Sequence, residues 1–311
     1  TISQAGPGGA LVAYFAMGLM VFLLMQSLGE MSSYLPVPGA FETYATRFVS
    51  PSFGFALGWN YWFNWAITVA AELAAASIVM AYWWPGVPAW MWSVGFLALL
   101  FLLNVLSARA YGESEFWFAI ITVVAIVAMI LGGFGIMLFG IHSAGDAPAT
   151  GLSNLWAHGG FMPNGWSGFF AGFQMAAFAF VGIELIGTTA AETRDPEKTL
   201  PRAISAVPAR ILIFYVGALP AIMTVVPWDE VRADSSPFVQ VLGLVGFAGA
   251  ASVMNFVVLT SAASSSNSGI YSISRMLFGL AHKRMAPKVF GRLSKNGVPR
   301  WGFVITVLVL S

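Results

Sequence analysis

Residues 116–141 read FWFAIITVVAIVAMILGGFGIMLFGI, and none of them is charged. A helix needs about 20 mostly apolar residues to cross the hydrocarbon core of a bilayer. This stretch exceeds that length, and its apolar residues do not alternate with polar ones as they would in a strand of a transmembrane barrel. It therefore predicts a membrane-spanning α-helix.

Six further windows also lack charged residues, and together with this one they predict seven complete spans and the start of another. Apolar residues make up 58% of the chain and charged residues only 9%, against about 45–50% and about 25% in soluble domains. The fold class is therefore predicted as all-α, a polytopic membrane protein. The predicted spans are residues 8–33, 53–82, 88–106, 114–141, 166–190, 203–228 and 247–275, with another beginning at 301.

Lysine and arginine predict the orientation of these spans. If successive loops alternate sides, one side receives 13 of the 14 basic residues and the other receives only Arg232. Because basic residues concentrate in cytoplasmic loops, residues 191–202 and 282–300 are predicted to be cytoplasmic and residues 142–165 external. The net charge of +1, with basic residues scattered over several loops, gives no reason to expect a nucleic-acid partner.

Chemistry that depends on thiols or metals finds no support in the sequence. The chain has no Cys, and its three His all lie in predicted loops without a Glu at metal-ligand spacing. With no nucleophile–base pair either, we expect no enzyme, no metal and no cofactor. Because the chain opens with Thr1 and stops at Ser311, about ten residues into a new span, we also expect it to be truncated at both ends.

Two carboxylates, Glu72 and Glu184, lie well inside predicted spans, where ionisable residues usually face a bundle interior or a water-filled path. Glu72 lies on a polar helical face, since side chains four residues apart are neighbours. That face also carries Asn60, Asn64 and Thr68. Interhelical hydrogen bonding is the favoured interpretation of Asn60 and Asn64, whereas function and hydrogen bonding are both open for Glu72.

Two segments inside the predicted spans each have a structural and a functional interpretation. The run from Phe178 to Gly182 directly precedes Ile183 and Glu184, and it indicates either a broken helix that binds substrate or ordinary packing. Residues 260–268 read TSAASSSNS, which is very polar for an uncharged window. They indicate either close helix packing through small residues or the lining of an ion or substrate site.

Long motifs give the chain a resemblance to a known family. Residues 53–62 read FGFALGWNYW, residues 168–184 read GFFAGFQMAAFAFVGIE, and residues 255–269 read NFVVLTSAASSSNSG. With these motifs the chain resembles the bacterial amino-acid permeases of the amino acid–polyamine–organocation superfamily over nearly its whole length. Its first half is more similar to lysine-type permeases, and its second half to permeases for D-serine, D-alanine and glycine.

The resemblance implies a twelve-helix transporter with two inverted five-helix repeats. Residues 1–311 would be a single transmembrane domain that runs from the tail of the first helix to the start of the ninth. The implied function is import of amino acids through the inner (plasma) membrane, with small neutral substrates such as alanine, glycine or serine. In the family, a broken stretch of the sixth helix contacts the backbone of the substrate. The matching residues here are Phe178, Ala179, Phe180, Val181 and Gly182.

The resemblance also implies coupling residues. Carboxylates that match Glu184 and Glu192 are implicated in transport in lysine-type relatives. A Lys that relatives carry midway along the fifth helix, where it can take part in proton coupling, is Thr122 here. Proton symport with Glu72 or Glu184 as the carrier, a different cation held partly by Thr122, and uncoupled exchange are all compatible with that change.

Other functions remain open at this point. A permease for lysine or basic amino acids is favoured by the first-half resemblance and by two intramembrane carboxylates that could meet an ammonium group. A seven-helix receptor has the same number of complete spans, and a channel could use the same polar residues. Saturable uptake and counterflow of a labelled amino acid separate a carrier from both.

Overall fold

The computed structural model describes residues 1–37, 40–106, 108–139, 150–188, 195–231, 241, 249–294, 299, 301–302 and 304–305. Within these residues all regular structure is helical, and no strand is present. The predicted all-α class is therefore confirmed. The arrangement as twelve helices with inverted repeats stays a prediction.

The described residues form helices of very different lengths. They are α1 (Ile2–Tyr34), α2 (Ala40–Phe48), α3 (Pro51–Met80), α4 (Ala89–Leu106), α5 (Ala108–Phe139), α6 (Gly165–Ala179), α7 (Leu185–Thr188), α8 (Pro196–Ser205), α9 (Val207–Ile211), α10 (Ala218–Val225) and α11 (Ala250–His282). Short 3₁₀ turns lie at Leu152–Leu155 and Lys288–Gly291. A π-helical turn at Leu212–Val216 follows α9.

Most predicted spans correspond to single long helices. The bounds differ most at α5, which begins at Ala108 instead of 114, and at α11, which continues past 275 to His282. The extension of α5 contains Arg109 and Glu113, because a helix can continue beyond the hydrocarbon core into the polar region of the bilayer. The charge-free windows therefore located the helices but underestimated their length.

Two predicted spans are not continuous helices. The span at 166–190 divides into α6 and α7, which a turn separates. The span at 203–228 was predicted as one helix, and this was wrong in detail, since a π-helical turn separates α9 from α10. A π turn adds a residue to the helical repeat locally, and hydropathy does not reveal it.

Three helices among the described residues are long and apolar enough to cross a membrane. They are Ile2–Tyr34, Pro51–Met80 and Gly112–Phe139, while Ala89–Asn104 and Ile213–Val225 are apolar but shorter. α11 is long enough, but the run at 260–268 makes it more polar. Length and composition thus support three of the predicted spans directly, and the others are short, broken or polar.

Local sequence explains where the helices begin. Ser50 accepts a hydrogen bond from the Phe53 backbone N–H with its side chain (3.1 Å), and Pro51 follows as the first helical residue, so α3 has a capped start. In α1, Gly6 has a φ of +70°, which Gly adopts without strain. Gly6 thus interrupts the helical geometry near the start of α1, and the helix resumes at Pro7.

Contacts group the described residues into two compact units. The first comprises residues 1–25, 123–181 and 205–257. Its apolar core includes Met129 and Ile136 of α5, whereas Val124, Leu131 and Leu138 of the same helix are exposed. Each set recurs every seven residues, which puts them on opposite helical faces. The exposed face is suited to contact with lipid chains.

The second unit comprises residues 26–122, 182–204 and 258–311. One apolar cluster joins α3, α4 and α11 around Val69, Leu100 and Ile270. A second cluster, which contains Tyr61 and Trp65, joins α3 to the later part of α11. This unit holds all the intramembrane carboxylates discussed below.

Candidate functional site

The helix that contains the predicted substrate residues breaks where the sequence placed the break. α6 ends at Ala179, and α7 begins at Leu185. Gly182, between them, has a φ of +102°, in the region that favours glycine. The Val181 N–H donates to the Phe178 carbonyl (3.2 Å), a bond that belongs to a tighter turn than the α-helix. The backbone of the turn is thereby released from the helical pattern.

Glu184 stabilises this break with its side chain. Its Oε2 accepts a hydrogen bond from the Gly182 backbone N–H (2.9 Å), and its Oε1 accepts one from the indole N–H of Trp65 (3.3 Å). The carboxylate therefore ties the turn to α3. Among the described residues, none accepts a backbone hydrogen bond from the N–H groups of Ile183 or Glu184.

Trp65 is held rigidly in this position. Its side chain is only 2% exposed. A Cβ atom at Gly269 of α11 would lie 2.6 Å from the indole ring, so the ring and the helix are in close contact. Tyr61 packs edge-on against the same ring. Such packing fixes the direction in which the indole N–H points, and with it the position of the Glu184 carboxylate.

In the first unit, aromatic residues surround Phe180. Its ring lies 4.6 Å from the ring of Tyr215 and 6.1 Å from that of Tyr14 between centroids. The Tyr215 hydroxyl donates to the Ala179 carbonyl (2.7 Å), which is the last carbonyl of α6. Tyr215 lies in the π-helical turn, so that irregularity places a donor at the end of α6.

The predicted substrate residues have different surroundings. Phe178 is 71% exposed and Phe180 only 5%. Val181 is also exposed, while Ala179 and Gly182 are half-buried. Of the two aromatic rings in this segment, Phe180 is thus fixed by packing and Phe178 is not.

The predicted coupling residues occupy three separate places. Glu72 is half-buried, is hydrogen-bonded to Ser265 of α11 and lines a cavity of about 10 Å³ between α3, α4 and α11, which is about the volume that one water molecule needs. The Thr122 hydroxyl donates to the Phe118 carbonyl of its own helix (3.1 Å). Glu192 lies outside the described residues.

A model of the family described as amino acid permease matches residues 1–310. The chain belongs to the amino acid permease family.

Several permeases and transporters are similar to this family member. It is 48% identical over 310 residues to the D-serine/D-alanine/glycine transporter of Escherichia coli (strain K12), which covers 100% of this chain and 66% of that protein. It is 45% identical over 317 residues to the lysine-specific permease of the same organism, with 99% and 64% covered. It is 43% identical over 311 residues to a probable threonine/serine transporter of Bacillus subtilis (strain 168), with 100% and 67% covered.

The permease chain spans about two thirds of the length of these relatives. The predicted resemblance is confirmed, and the chain is that of a membrane protein. Both the family and the relatives are permeases and transporters, not enzymes or receptors. Among the residues described, no group of three or more His, Asp or Glu could hold a metal ion.

Sequence reasoning missed a second set of polar residues in this permease. Asn104 of α4, Ser114 and Glu115 of α5, and Asn267 of α11 are linked by hydrogen bonds. Glu115 lies one residue inside the predicted span at 114–141, and a carboxylate at the border of a span attracts little attention. The polarity of residues 260–268 was the available signal, since such a run needs polar partners on neighbouring helices.

Proposed function

We propose that the full-length protein imports small neutral amino acids through the inner (plasma) membrane of the cell, together with a proton. Membership of the amino acid permease family supports amino acids as the substrate class. Relatives named for D-serine, D-alanine, glycine, threonine and serine support small neutral ones. A relative named for lysine is almost as similar, so the identities alone do not decide between the two classes.

The state of Glu184 favours the neutral substrates. A lysine side chain would bring a second ammonium into the site, and this group would need a free carboxylate there. Both oxygens of Glu184 already accept hydrogen bonds, one from Gly182 and one from Trp65. Among the residues described, Glu184 is the only carboxylate at the break, and it is already engaged in holding the turn.

The break also suits the part that all amino acids share. A zwitterion needs partners for both charges when it leaves water. Turn N–H groups at a broken helix bind a carboxylate without adding net charge, and Ile183 and Glu184 offer two such groups. We propose residues 178–182 as the segment that contacts the backbone of the substrate.

Proton coupling rests on the intramembrane carboxylates. The partners of Glu184 are N–H groups, which only donate. A proton on either oxygen of Glu184 would weaken the N–H hydrogen bond to that oxygen, so proton binding there would loosen the turn or its link to Trp65. We propose Glu184 as the group that links the proton to the substrate site, and Glu72 and Glu192 as further coupling residues. The Thr122 hydroxyl carries no charge, so Thr122 could take part in coupling only as a ligand of a cation.

The substrate class is tested by competition in proteoliposomes that contain the full-length protein. Uptake of labelled alanine is measured against excess alanine, glycine, D-serine, lysine or phenylalanine. We expect the three small neutral amino acids to compete and lysine not to. Stronger inhibition by lysine than by glycine would overturn the neutral assignment, and uptake without saturation or counterflow would indicate a channel.

Coupling is tested with Glu184→Gln. The amide has one acceptor oxygen instead of two, so one N–H group of the break loses its partner, at a cost of about 1–3 kcal/mol. We expect a higher KM for alanine exchange and no accumulation driven by a pH gradient. Glu113→Gln is the matched control, because Glu113 is exposed. A Glu184→Gln protein that still accumulates alanine against its gradient would remove Glu184 from the coupling mechanism.

A further inference from the structure

The polar run of α11 is the centre of a hydrogen-bonded cluster that the substrate site does not use. Asn267 is fully buried and Asn104 is 3% exposed. The Asn104 amide nitrogen donates to the Leu100 carbonyl (2.9 Å) and to Oδ1 of Asn267 (2.7 Å). The Asn267 amide nitrogen in turn donates to Oε2 of Glu115 and to the Ser114 hydroxyl, both at 3.3 Å. α4, α5 and α11 are thus joined through Asn267, which bonds to Asn104 on one side and to Glu115 and Ser114 on the other.

The other oxygen of Glu115 faces hydroxyl groups. Ser264 donates to its Oε1, and Ser268 is also hydrogen-bonded to the carboxylate. Among the described residues, every recorded partner of Glu115 on α5 and α11 is therefore neutral, and so is Asn104 on α4. Oδ1 of Asn104 is buried and accepts no hydrogen bond within the described chain. Oδ1 of Asn104 is therefore an acceptor that no described donor of the cluster uses.

Hydroxyl partners make Glu115 different from Glu184. A hydroxyl can donate or accept, whereas an amide or indole N–H only donates. If a proton binds to Oε1 of Glu115, the Ser264 hydroxyl can accept a hydrogen bond from the new O–H group. The hydroxyl can then donate its own hydrogen to a backbone carbonyl one turn earlier in α11. Thr68 and Thr122 make such bonds to their own helices, at 2.9 and 3.1 Å. The cluster can therefore take up a proton without losing a hydrogen bond.

We propose that Glu115 binds the transported proton near the cytoplasmic end of α5 and releases it to the cytoplasm. The inference rests on the proposed function of proton-coupled import. The predicted orientation puts residue 109 on the cytoplasmic side, and Glu115 lies less than two helical turns beyond it. Proton binding reverses the hydrogen bond between α5 and α11 at Ser264, so the occupancy of this site is communicated to α11.

The decisive experiment compares the wild-type protein with Glu115→Gln in proteoliposomes that contain the full-length protein. Gln has the size of a protonated Glu and cannot bind or release a proton. Alanine counterflow at equal pH needs no net proton movement, so its KM should stay within about twofold of wild type. Alanine accumulation driven by an inward pH gradient should fall to the level reached without a gradient. Glu113→Gln, two residues away and exposed, should accumulate alanine like the wild type.

Other outcomes would overturn the inference. If Glu115→Gln accumulates alanine as the wild type does, Glu115 does not carry the proton. If the wild type shows counterflow but no response to the pH gradient, the proton role fails while amino acid exchange stands. A wild-type protein without counterflow for any small amino acid would overturn the proposed function itself.

A second variant covers the case in which Glu115→Gln fails to fold. Ser264→Ala keeps the carboxylate and removes a hydroxyl that stabilises its ionised form. We expect the pH of half-maximal alanine uptake to move upward, with counterflow at equal pH preserved. An unchanged pH profile in a folded Ser264→Ala protein would contradict the role of this cluster in proton binding.

Discussion

Gly182→Ala tests whether the break in the helix is needed for substrate binding. The φ of Gly182 is +102°, and a residue with a side chain is strained there by about 1–3 kcal/mol. Space is not the obstacle, because a Cβ atom would lie 3.7 Å from Trp65 and 3.8 Å from Leu185, which is ordinary contact. If the turn relaxes to relieve the strain, the N–H groups that we assign to the substrate move. Substrate affinity should then fall by about 5- to 150-fold.

The assay is binding of labelled alanine to purified protein, with thermal unfolding measured in parallel. Two glycines serve as controls. Gly95 of α4 has open space around it, so Gly95→Ala should leave alanine binding unchanged and should not lower stability. A Cβ at Gly187 would lie 2.9 Å from Leu28, so Gly187→Ala should reduce stability through a packing clash. A folded Gly182→Ala protein with unchanged affinity would refute the reasoning, and loss of folded protein alone would assign Gly182 to packing.

Two further predictions concern stability and topology. Glu42 is fully buried and paired with Lys283. Because removing one partner from a buried ion pair is costly, Glu42→Gln should lower the free energy of unfolding by about 3 kcal/mol. Glu230 is exposed, so Glu230→Gln should change it by less than about 0.5 kcal/mol. Thermal unfolding in detergent measures both, and equal shifts would contradict the role of the pair. In this Cys-free chain, an impermeant thiol reagent should label Trp156→Cys but not Lys288→Cys from outside intact cells, and the reverse result would invert the predicted orientation.

Much of the fold could be predicted because the bilayer restricts it. An uncharged stretch of sufficient length has few alternatives to a helix, so the positions of α1, α3, α4 and α5 followed from charge alone. The break at Gly182 was one of two interpretations of a glycine near a carboxylate in an apolar run, the other being ordinary packing. The π-helical turn at 212–216 could not be predicted, because its residues, Leu-Ile-Phe-Tyr-Val, have ordinary helical hydropathy.

The partners of the carboxylates were beyond sequence reasoning for a different reason. Trp65 and Glu184 are 119 residues apart, and Asn104 and Asn267 are 163 residues apart. A single sequence indicates that a polar group in a membrane needs a partner, but not which helix supplies it. The run at 260–268 had a packing and an ion-site interpretation. The structure gives its hydroxyl and amide groups defined partners on three helices, so packing through small residues is not its whole role.

The chemistry of those partners separates the carboxylates into two groups. Glu184 is held by N–H groups, so a change in its charge must change the backbone turn beside it. Glu72 and Glu115 face serine hydroxyls, which can reverse their hydrogen bonds when the charge changes. A protein that moves a proton needs both behaviours, since the proton must be carried at low cost and must also act on the substrate site. Side chains of this kind make coupling feasible although the Thr122 hydroxyl carries no charge.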